Sequence, residues 1–149
     1  MKALLQGLTT VLGRIMIAAI FLTSAIGSHL RDFDGVAASM GSRGIPQPQV
    51  QLAGAILFLI AGSVSLILGY KARIGAAMLF LFLVPVTYYF HDFWNLRGPD
   101  QQSQLVQFLK NLGLMGAMLF IMANGSGPMS LEKSGSKGAS AKPKAKPAK

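Results

Sequence analysis

Residues 52–90 read LAGAILFLIAGSVSLILGYKARIGAAMLFLFLVPVTYYF, two apolar runs parted only by Lys71-Ala72-Arg73. Neither Leu52–Tyr70 nor Ile74–Phe90 contains a charged side chain. A helix rises about 1.5 Å per residue, so about 20 apolar residues carry it across the hydrocarbon core. Inside lipid the backbone must satisfy its own hydrogen bonds, which leaves a helix or a closed barrel as the crossing element. Barrel strands alternate apolar and polar residues, and these runs do not. The pair reads as two membrane-crossing helices joined by a basic turn.

Working outward from this pair, Leu4–Ser28 forms an earlier apolar segment with Arg14 set inside it. As a cleaved secretory signal its apolar stretch would be split by Arg14, and no clean small-residue cleavage site precedes His29. The segment therefore reads as a retained helix, with Arg14 snorkelling near the membrane boundary. Between it and residue 50, Phe33, Val36, Ala37 and Met40 recur at i, i+3, i+4 and i+7. That spacing predicts a short amphipathic helix resting on the membrane surface. The second crossing helix is expected over Gln49–Tyr70, with Ala61, Ser65 and Gly69 four apart to admit a close neighbour. The third runs to about His91 with Pro85 inside it, and the fourth over Ser103–Ala123. Tyr88, Tyr89, Phe93 and Trp94 have the composition of an interfacial aromatic belt.

The expected fold is an all-α integral membrane four-helix bundle with a short amphipathic helix between the first two crossings. Residues 1–124 form its domain. Residues 125–149, closing with AKPKAKPAK, read as a disordered basic tail of Lys, Pro and Ala. Apolar residues make up 52% of the chain and charged ones 13%, against about 25% charged in an ordinary soluble domain. The chain has no cysteine, which excludes disulfides, thiolate metal sites, iron–sulfur clusters and thiol catalysis. Net charge is +9, but six of the fourteen Lys and Arg residues follow residue 132. The basic character therefore belongs to the tail and not to the bundle. It suits anionic lipid or an acidic partner, while the lack of interleaved aromatics argues against nucleic acid. Four crossings put both termini on one side, together with Lys2, Lys71 and Arg73. Arg31, Arg43 and Arg97 lie opposite, so the positive-inside rule places both ends in the cytoplasm of a bacterial inner membrane.

On that topology the polar residues converge at the non-cytoplasmic end. His29 follows the first crossing, His91 and Asp92 end the third, and Lys110 with Asn111 lie in the outer part of the fourth. With Trp94 nearby, these six residues are the predicted ligand-binding set, suited to a quinone head group whose carbonyls accept hydrogen bonds. The plainer reading is that helix ends carry polar residues because headgroups and water are there, with Lys110 snorkelling or pairing with Asp92. Two histidines on separate helices could in principle ligate a haem, but both are expected at the rim and no C-x-x-C-H is present. His and Asp are possible metal-ligand types, yet no motif spacing supports a metal site. Neither a phosphate-binding Gly-rich loop after a strand nor H-E-x-x-H or G-x-S-x-G occurs.

Four blocks carry a family resemblance: GRIMIAAIFLTSAIGSHLRDF at 13–33, GSVSLILGYKARIGAA at 62–77, HDFW at 91–94 and FLKNLGLMGAML at 108–119. Together they span nearly everything from Gly13 to Ala123, and they resemble the DoxX family of small four-helix bacterial membrane proteins. The resemblance implies an inner-membrane bundle related to the small membrane subunit of thiosulfate:quinone oxidoreductases. Some such relatives are associated with membrane redox or oxidative-stress complexes. Two departures stand out. Members often carry a glutamate in the second helix where this chain has Leu59 or Ile60. The lysine that often follows the first helix is replaced here by Ser28-His29. An intramembrane carboxylate is the kind of group that handles a quinone proton, so its absence weakens any carry-over of catalysis.

The expectation is a small, non-catalytic or accessory subunit of a quinone-linked membrane redox complex. Any chemistry it did would fall to His91 and Asp92 as proton-handling or hydrogen-bonding groups, with Lys110 as their electrostatic partner and Asn111 orienting the ligand. It would hold quinone or lipid and meet membrane or peripheral oxidoreductase subunits. A small transporter is the alternative, although transport normally leaves ionisable groups near the bilayer centre. A purely structural helix-packing subunit, or a homo-oligomer built on small-residue faces, is the third.

Overall fold

The computed structural model describes residues 1–132. Helix α1 spans Lys2–Thr23 and continues without a break into a π-helical segment, Ser24–Leu30. Helix α2 spans Phe33–Ser42, α3 Pro48–Leu68 and α4 Ala72–Phe90. A 3-10 turn, Phe93–Asn95, leads to α5, Pro99–Asn124. Four helical stretches are long and apolar enough to cross a membrane: Lys2–Leu30, Pro48–Leu68, Ala72–Asn95 and Pro99–Asn124. The expected all-α four-helix membrane architecture, amphipathic insert included, is therefore the observed one.

Helix α1 packs on α3, α3 on α4 and α4 on α5. Their common core holds Ala18, Phe21, Leu59, Leu66, Leu79 and Met118, all buried. Outside that core, Leu57, Val64, Leu81, Val84, Leu112 and Phe120 are exposed. In water such a surface would drive aggregation; against lipid tails it is the matching solvent. The tightest crossing joins α3 to α4. A Cβ on Gly62 would lie 2.7 Å from Leu79 Cγ and 2.9 Å from the Gly75 carbonyl, so only glycine fits. Ser65 takes part in this contact as its spacing predicts, but Gly62 makes the close approach and not Ala61.

The α3–α4 turn reverses the chain through two left-handed residues, Gly69 (φ 63°) and Lys71 (φ 49°). Ser65 Oγ donates to the Tyr70 carbonyl at 2.7 Å, closing the turn. At the same end of the bundle, Arg14 corrects the expectation that it snorkels. Its side chain turns inward, is 4% exposed, and donates from Nη2 to the Met129 carbonyl at 2.8 Å. Nε and Nη1 have no partner among the described residues. The guanidinium lies against Gly69, where any Cβ would collide with it. The nearby C-terminus of α3 offers it the negative end of a helix dipole.

Residues 125–132 also depart from a purely compositional reading as tail. They fold back over this terminal end, with Leu131 N donating to Leu68 O at 3.1 Å and Glu132 N to Gly69 O at 3.2 Å. Two otherwise open carbonyls of the α3 C-terminus are thereby satisfied. The remainder of the predicted tail, 133–149, lies outside the described residues.

At the opposite, loop end, α2 is capped by Asp32, whose carboxylate accepts from Gly35 N at 3.3 Å. Its apolar face does not lie free on a membrane surface. Ala37 is buried with Leu52 and Ile56 of α3, and Phe33, Val36 and Met40 pack around them. Helix α5 begins at Pro99, four residues before the predicted Ser103, because proline suits a first helical position and Asp100 favours the positive helix end.

Candidate functional site

The polar residues of the loop end are positioned by three separate devices. His29 sits in the π-helical segment, where the wide turn lets a side chain reach five residues back. Its Nδ1 lies 2.7 Å from the Ser24 carbonyl and 3.3 Å from Ser24 Oγ. Its ring meets Phe82 of α4 edge-on, centroids 6.1 Å apart. His91 is the residue at which α4 ends, and its Nδ1 pairs with Gln104 Oε1 of α5 at 2.8 Å. Asn111 reaches from α5 to α4 and donates from Nδ2 to the buried Thr87 Oγ1 at 3.0 Å.

These three residues line one cavity of about 620 Å³ in the loop-end half of the bundle. Its walls are mainly apolar: Phe21, Phe58, Phe82, Leu83, Phe90 and Leu114. Helix α2 and the turn after it close the top through Val36, Met40 and Ile45. Ile20 and Leu81 stand at its margin, and both are exposed within crossing helices. The cavity therefore communicates with the space that lipid tails fill. An adjoining hollow shares Ile20, His91, Asn111 and Leu114 and adds Gln107 and Lys110. Drug-sized and cofactor ligands fill pockets of about 300–1,000 Å³ that are largely apolar with a few convergent polar groups.

Of the six predicted site residues, His29, His91 and Asn111 come together. Lys110 stands beside them in the hollow, exposed, donating to Gln107 Oε1 at 2.8 Å. Asp92 is turned away. It accepts from Asn95 Nδ2 at 3.1 Å and lies 3.9 Å from Arg43, so it pairs with neither Lys110 nor the cavity. Trp94 is exposed and packs among Tyr88, Phe93 and Phe108, an interfacial aromatic cluster outside the cavity. Among the described residues no three metal-ligating side chains gather.

Sequence reasoning missed Ser24, Gln51, Thr87 and Gln104. A signal for two of them was present. Thr87 and His91 are i and i+4 on α4, while Gln104, Gln107 and Asn111 fall at i, i+3 and i+7 on α5. Each set is a polar stripe on one helix face. Ser24 carried no signal, because a π-helical turn leaves no residue signature.

A family profile for DoxX matches residues 9–92, more than half of the chain. The protein belongs to the DoxX family. The match covers α1 to α4 and ends at Asp92, so His29 and His91 of this DoxX protein lie inside it while Asn111 lies beyond. The chain is also 25% identical over 122 residues to the inner membrane protein YphA of Escherichia coli strain K12, covering 82% of this chain and 86% of that protein. No solved structure matches it significantly. Leu59, at one of the two positions where a family glutamate was expected, is fully buried in the apolar core. An ionised carboxylate there would need a partner that core does not offer. This DoxX protein is thus an integral membrane protein with a lipid-accessible cavity at one end of its bundle.

Proposed function

We propose that the protein is an accessory subunit of an inner-membrane redox complex, holding a quinone-class head group in the cavity of the loop end. The cavity itself carries this reading. It is of cofactor size, apolar in its walls, reachable from lipid, and bears His29, His91 and Asn111 as its polar points. A flat ring would lie among the phenylalanines while the three polar groups fix its orientation. Family membership and the inner-membrane relative support the location. The charge distribution supports cytoplasmic termini, with the cavity toward the opposite face. Residues 1–124 would form the ligand-holding domain. The six lysines after residue 132 would act as a basic extension toward anionic lipid, worth about 1 kcal/mol per lysine held near the surface.

The test is binding of a short-chain benzoquinone by purified protein in detergent, measured by equilibrium dialysis. Saturable one-to-one binding, weakened about tenfold by the Asn111→Leu and Asn111→Asp substitutions, which remove the free amide donor, is the expected result. Binding that is unsaturable, or indifferent to the substitutions, overturns the reading. A membrane oxidoreductase recovered with the protein in gentle detergent would support the accessory role, and recovery of self-associated chains alone would count against it.

A further inference from the structure

The hydrogen bonds already made around the cavity decide what His29 has left to offer. A carbonyl oxygen only accepts, so the 2.7 Å contact between His29 Nδ1 and the Ser24 carbonyl puts the ring proton on Nδ1. The neutral ring then presents Nε2 as a bare lone pair. His91 Nδ1 pairs with the Gln104 amide at 2.8 Å, a group that can accept or donate, so this contact does not assign the His91 proton and the bare lone pair is assigned at His29 alone. Neither ring's Nε2 finds a partner among the described residues. Asn111 spends one amide hydrogen on Thr87, leaving its carbonyl oxygen and one hydrogen free. Among the described residues no carboxylate lines the cavity, so none of its walls would pair with an imidazolium.

A quinone ring carries two carbonyl oxygens, which are acceptors; its reduced form carries two hydroxyls, which are donors. Ser24, Ser39, Gln51, Tyr89 and the free amide hydrogen of Asn111 also line the cavity and can donate to either form. The bare Nε2 of His29 is satisfied only by a donor, which the reduced ring has and the oxidised ring lacks, and a buried polar group without a partner is costly. We infer that the cavity holds its ligand through the ligand's own hydroxyl donors, and so selects the dihydroxy, reduced form of a quinone-class ring over the oxidised dicarbonyl form. This inference rests on the cavity being a binding site for that class. It adds which redox form is held, which cavity size and apolarity alone do not distinguish.

The experiment compares three ligands on the intact purified protein at pH 8 without oxygen. They are a short-chain alkylated hydroquinone, its quinone, and its dimethyl ether, which keeps the ring but has no donor. The expected order is hydroquinone tighter by about tenfold or more than both others, the yield of one or two hydrogen bonds made or missed. In the His29→Phe variant the three affinities should fall within about twofold of one another. Equal affinities in the native protein, or a tighter quinone, overturn the donor rule while leaving the binding site standing. Absence of saturable binding by any of the three overturns the site, and this inference with it. The native comparison decides the matter without any variant.

Discussion

Arg14 is the residue whose environment departs most from its chemistry. A cation in the first crossing helix is expected to reach for water, yet this one is buried with two nitrogens unpartnered and no carboxylate at ion-pair distance among the described residues. Its one hydrogen bond to the Met129 carbonyl ties α1 to the segment that folds back over α3. Burying a charge without an ion-pair partner is costly, so an apolar group of similar length in its place removes that penalty. Arg14→Met is therefore expected to hold or raise the unfolding temperature in detergent. It should at the same time open residues 125–132 to limited proteolysis, because their tie to α1 is gone. A steep fall in unfolding temperature with unchanged cleavage would show that the guanidinium supports the bundle and not the strap.

At the scale of elements, the π-helical segment is the device that aims His29. An α-helical continuation of α1 would place residue 29 about 100° further round the axis per residue inserted or removed. Its ring would leave Phe82 and the cavity. Inserting one alanine after Gly27, which no neighbour crowds closely, should turn His29 about 100° round the axis while α1 keeps its core residues Ala18 and Phe21. Helical content by circular dichroism should stay close to native and binding of the hydroquinone should be lost. Retained binding would mean that the wide turn does not position the site. The α3–α4 crossing makes the complementary point. Gly62→Leu would drive a side chain into Leu79 and the Gly75 backbone, and is expected to destabilise the protein by about 1–3 kcal/mol, read as a lower unfolding temperature.

Considered as a whole, the molecule places both described ends and the 69–71 turn at one face, with 31–47 and 91–98 at the other. The absence of cysteine makes this testable with single introduced thiols. Arg97→Cys should react with a membrane-impermeant maleimide applied to intact spheroplasts, whereas Lys71→Cys and Ser126→Cys should react only after permeabilisation. The reverse pattern would invert the proposed orientation. Labelling of Lys71→Cys and Ser126→Cys from opposite sides would undo the four-crossing topology itself.

Sequence alone determined that the chain crosses a membrane four times, since crossing is decided by the length and polarity of local runs such as 52–70 and 74–90. It also located α2, because an apolar stripe at helical spacing is a local property, and it placed His29, His91 and Asn111 at one end. Tertiary structure decided which polar groups face one another. Asp92 and Trp94 share the end of α4 with His91 but turn elsewhere, and Arg14 turns inward. These directions depend on a π-helical turn, on helix rotation and on a strap brought back from beyond α5. Contacts between residues far apart in the chain set such angles, and runs of hydrophobicity do not encode them.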